Sequence, residues 1–104
     1  MIMAGRCRQR SLAVVEFAHV HELLHAADIG EATARWPPWF LAAYERGAVG
    51  LGPGLACISV CKPGSPLMPA TIANRDDILV CDKEGGVRVF DQTKFDEQYE
   101  VLEL

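Results

Sequence analysis

The sequence predicts an α+β fold: a small antiparallel sheet, or a partly open barrel, with two short helices on one side. Three observations predict it. Short runs rich in β-branched and aromatic residues recur at 11–17, 55–61, 78–81 and 87–90, bounded by Gly, Pro and Asp clusters. Between the first two runs, Val20, Leu23, Leu24 and Ala27 fall at helical spacing, and Pro38 opens a second segment suited to a helix. A chain of 104 residues that is half hydrophobic can bury one modest core.

Residues 1–10 carry three arginines (Arg6, Arg8, Arg10) and no acid. They are expected to form a flexible basic tail, which leaves 11–104 as a single domain. The apolar run that follows is cut at four residues by Glu16, too short for the core of a signal peptide. No run approaches the ~20 apolar residues of a bilayer span, so a cytoplasmic location is expected. The first strand is Ser-Leu-Ala-Val-Val-Glu-Phe at 11–17, and the first helix spans 19–27, with Gly30 as its stop. Trp36-Pro37-Pro38-Trp39 is a sharp break, because the prolines fix φ and remove donors. A helix over 38–46 then ends at Gly47.

Glycine-rich 50–54 reads as a loop; it lacks the Lys-Ser/Thr of a phosphate cradle. A buried strand at 55–61 leads through a turn at 62–66 to an edge strand at 67–73, where Pro69 argues against a central position. The runs at 78–81 and 87–90 form a hairpin through 82–86. Phe95 and Tyr99 anchor a short helical turn, and 101–104 close as a last strand.

Four cysteines without a secretion signal point to reduced thiols. Cys57 and Cys61 stand four apart on a strand, too far to share a bridge or an ion at about 3.3 Å per residue. Net charge is −4 but uneven: residues 70–104 hold nine acids against four bases. Such a half repels phosphate backbones and suits a basic protein surface. Asp76 and Asp77 are adjacent on an expected strand, so they point to opposite faces and do not form a catalytic carboxylate pair.

His21-Glu22-Leu23-Leu24-His25 matches the zinc-peptidase pattern His-Glu-x-x-His. Histidines four apart on a helix can share Zn²⁺, with Glu22 as general base toward a metal-bound water. A third ligand is then needed, and the nearby acids are Asp28 and Glu31, of which Glu31 lies beyond the expected helix stop at Gly30.

The chain resembles a group of short proteins of tailed phages and prophages. Those begin with a strand containing Val-Glu-Ala, carry a Pro-x-Trp helix, and end in Gly-Asp-Trp/Tyr-Ile-Ile, a Gly-Glu turn and Phe-x-x-x-Tyr-Glu. Here Val14-Val15-Glu16-Phe17 matches the start, and Pro38-Trp39-Phe40 with Ala43 and Gly47 the helix. Asp77-Ile78-Leu79-Val80, Gly85-Gly86-Val87 and Phe95 with Tyr99-Glu100 match the rest, over most of 12–103. Asp76 stands where the pattern has Gly, and Gly86 where it has the turn Glu. The resemblance implies a phage or prophage origin and brings no catalytic residues with it.

Together these readings lead to a non-enzymatic accessory protein that binds a host or antiviral-defence protein, an anti-CRISPR-like inhibitor being one concrete version. Its expected contact residues are the aromatics Trp36, Trp39 and Tyr44 and the acids Asp76, Asp77, Asp82 and Glu84, with no cofactor. The alternative is a zinc-dependent hydrolase built on His21, His25 and Glu31, with Glu22 as base. A virion or otherwise structural role would show as a stable homo-oligomer.

Overall fold

The joint at Val20, where a strand becomes a helix with no connecting residue, organises the chain. The computed structural model describes residues 4–9, 14–62, 65–81 and 86–103. In order, these form β1 (Ala4–Gln9), β2 (Val14–His19), α1 (Val20–Asp28), α2 (Ala32–Arg35), α3 (Pro38–Glu45) and β3 (Val49–Leu51). A 3₁₀ turn (Pro53–Leu55) leads to β4 (Cys57–Lys62), β5 (Ser65–Asn74), β6 (Ile78–Cys81), β7 (Val87–Phe90), α4 (Gln92–Gln98) and β8 (Tyr99–Glu103). The fold is therefore α+β with antiparallel sheets, as the sequence predicts.

Among the described residues the strands divide into two sheets, neither closed into a barrel. One has the order β7-β6-β2-β1-β8 and the other β3-β4-β5. Every pairing is antiparallel. Four α-helices, rather than two, lie among the described residues. The expected tail is also corrected: Ala4–Gln9 is a strand held between β2 and β8, and Cys7 within it is fully buried. In β1, Arg6 stands across from Glu16 of β2. Opposite charges in register favour the pairing. A third revision is β3, which occupies part of the expected glycine loop.

Alternation along the large sheet sends successive residues to opposite faces. Ala18 and Leu79, paired across β2 and β6, face a core shared with Val20, Leu23 and Leu24 of α1, Phe40 and Ala43 of α3, and Ile58 and Val60 of β4. Phe17 and Val80, the next pair, face the other way and join Cys7, Ile78 and Phe95 beneath α4. β6 is apolar throughout because Ile78, Leu79 and Val80 are buried on both sides of the sheet.

The two main helices end in the same way. Gly30 (φ 74°) and Gly47 (φ 80°) take the left-handed conformation that a side chain resists. In each case the glycine N–H and the following N–H donate back to the last turn: Gly30 to Ala27 and Glu31 to Ala26, Gly47 to Tyr44 and Ala48 to Ala43. This double bond pattern satisfies carbonyls that a helix end otherwise leaves orphaned. α3 starts on Pro38, whose missing N–H costs nothing at the first helical position.

Candidate functional site

The His-Glu-x-x-His residues lie on α1, as the spacing requires. His21 and Glu22 sit in the first turn, with His21 Nε2 3.3 Å from Glu22 Oε1. His25 lies in the last turn and is exposed. Glu31, past the Gly30 cap, pairs with Arg35 one turn along. Among the described residues, no three His, Cys, Asp or Glu side chains are grouped closely enough to hold a metal ion.

The imidazole that packs against His21 is His19, the last residue of β2, at 5.5 Å between ring centroids and 54° between planes. His19 in turn meets Phe17 edge-on at 5.9 Å. Partial burial, with the neighbouring His21, holds the His19 ring below its ordinary pKa, while Glu22 and Asp96 pull it back up. Burial disfavours the charged imidazolium, as it would any cation taken out of water. His19 was not among the candidate residues, because its significance depends on where β2 ends. The sequence signal was the His-x-His spacing at 19–21.

Trp36, one of the expected contact residues, lies in the core. It is only 6% exposed, and its indole N–H donates 2.9 Å to the Leu23 carbonyl of α1. Phe40 meets it edge-on at 4.7 Å and Tyr44 at 5.3 Å. Its role is therefore to lock α3 to α1. Trp39 is half-buried and packs edge-on against Phe40 at 5.9 Å. Tyr44 remains 44% exposed while resting on Trp36, so an outward-facing ring has a rigid base. Phe40 and Tyr44, four apart on α3, both meet Trp36, which precedes that helix.

The acids also divide. Asp76 is exposed in the turn between β5 and β6. Asp77 instead closes that turn: its carboxylate accepts the Asn74 N–H at 2.8 Å, and its own N–H donates to the Asn74 carbonyl at 3.0 Å. Its carbonyl also accepts the Val20 N–H at 3.1 Å, tying the turn to the start of α1. The two residues belong to a turn, not a strand, which replaces the opposite-faces expectation. Asp82 and Glu84 lie outside the described residues.

Among the described residues, no helix is long and apolar enough to cross a membrane. No protein-family model, curated protein or solved structure matches the chain.

Proposed function

We propose that this chain is a small phage- or prophage-type accessory protein that acts without catalysis, by binding a host or antiviral-defence protein. An anti-CRISPR-like inhibitor is the concrete version. The observation that carries the reading is the placement of Tyr44, an exposed ring held at 5.3 Å on a buried tryptophan. Tyrosine offers a large contact area with few rotatable bonds, and a ring already immobilised loses little entropy on binding. Half-buried Trp39 and exposed Asp76 are the supporting contacts. The acid excess of residues 70–104 favours a basic patch on the partner.

Affinity capture from the native host tests this with wild-type chain, Tyr44→Ala, Trp39→Ala and Asp76→Lys, each checked for folding by circular dichroism. Tyr44→Ala is expected to weaken capture of a discrete partner by about tenfold or more, the scale of a truncated aromatic hot spot. Equal capture by folded wild-type and Tyr44→Ala chains would remove the reading.

A further inference from the structure

The sequence motif pairs His21 with His25, but the fold pairs His21 with His19. This follows from the chain path. β2 ends on His19, in register with Ile78, and α1 begins at once because the Val20 N–H is taken by the Asp77 carbonyl. With no residue spent on a loop, the second helical side chain folds back beside the last strand side chain, and the rings come to 5.5 Å. A Zn–N bond of about 2.0 Å puts each ligating ring's centroid about 3 Å from the ion, so two rings on one tetrahedral ion stand about 5 Å apart. The observed centroid separation is close to that value.

We propose that His19 and His21 form a two-imidazole chelate for a nitrogen-preferring divalent cation of the Zn²⁺ or Ni²⁺ class, with water completing the coordination. Imidazole suits these ions better than it suits Mg²⁺ or Ca²⁺. The surrounding charge favours a cation: Glu22 lies 3.3 Å from His21, and Asp96 of α4 acts on His19. The inference is independent of the partner-binding role, since it uses none of Trp39, Tyr44 or Asp76.

The test is a Ni²⁺ titration of the tag-free, chelator-stripped full chain, followed by NMR of the histidine rings and by the urea midpoint. In the unmodified chain, the His19 and His21 ring signals are expected to broaden together and before that of His25. Loss of either ligand, by His19→Gln or His21→Gln, is expected to weaken binding by about tenfold or more, a scale already reached by losing an outer-shell partner. His25→Gln is expected to leave binding within about twofold of wild type, as befits a residue outside the first and outer shells. Weakening by His25→Gln but not His19→Gln would overturn the proposal in favour of the helix pair. Broadening centred near the cysteines, or no saturable binding, would overturn it outright. The wild-type NMR result stands even if a variant fails to fold.

Discussion

Trp36→Ala tests whether this side chain is a structural lock. The ring is 94% out of solvent by its 6% exposure, and its N–H is bonded to the Leu23 carbonyl. A buried aromatic of this size removes about 200 Å² from water, worth about 5 kcal/mol at 25 cal/mol per Å². The unfolded chain already shields part of that area, so the measured loss is expected at about 3–5 kcal/mol, in line with other aromatic-to-alanine core changes. For a domain of this size, most of the stability would go, since native domains hold only about 5–15 kcal/mol. Trp36→Phe keeps a ring against Phe40 but removes the donor and part of the indole, so about 1–2 kcal/mol is expected. In thermal terms that is a fall in Tm of roughly 4–16 °C. Urea and thermal unfolding followed by far-ultraviolet circular dichroism give both numbers without relying on the fluorophore being changed. A Trp36→Ala chain within about 1 kcal/mol of wild type would refute the assignment, because surface substitutions behave that way and buried ones do not.

Three further outcomes follow from particular contacts. Asp91 caps α4 by accepting the Lys94 N–H at 2.7 Å, so Asp91→Ala is expected to lower the urea-unfolding free energy by about 1 kcal/mol, and Asp91→Asn by less. His19 sits below its ordinary pKa of 6.5, chiefly through burial. The unfolded chain therefore binds that proton first, so no stability is lost well above pH 6.5, and stability falls as the pH drops below it. Urea midpoints at about pH 7.5 and about pH 5.5 should differ less in His19→Gln than in wild type, and an equal difference in both would assign the effect elsewhere. Burial pushes the Cys7 thiol up to about 11. Its alkylation at pH 8 is thus expected to be the slowest of the four cysteines and to become fast only on unfolding, as mass spectrometry of timed samples would show.

Elements written in short-range chemistry could be read from the sequence. The α1 stripe and the Gly30 cap sit within eleven residues, and Pro38 with Gly47 brackets α3, so both helices lie within a residue or two of their expected bounds. The β6–β7 pairing was legible from its two apolar runs. β1 was not, because its arginines resemble a solvated tail in the sequence, and its partner β8 arrives from the far end of the chain. β3 was hidden by Gly50 and Gly52, residues that normally weaken a strand. Here Gly52 makes room for the Cys57 side chain and bonds its N–H to the Cys57 carbonyl at 2.8 Å. At the candidate site, the aromatic spacing was visible, but which ring faced outward was not. That depends on the Leu23 carbonyl thirteen residues before Trp36, whose bond turns Trp36 inward and leaves Tyr44 outside. The contact of His19 with His21 was hidden for a similar reason: helical spacing is visible in sequence, while the strand end that brings His19 to His21 is not.

The most direct measurement is photo-crosslinking from position 44 in the native host. A photoreactive phenylalanine derivative would replace Tyr44, with the same group at exposed Ile72 on β5 as the control. A single host or defence protein captured from position 44 and not from position 72 is the expected result. Crosslinks from position 44 that yield only a second copy of this chain, or only products also seen from position 72, would contradict it.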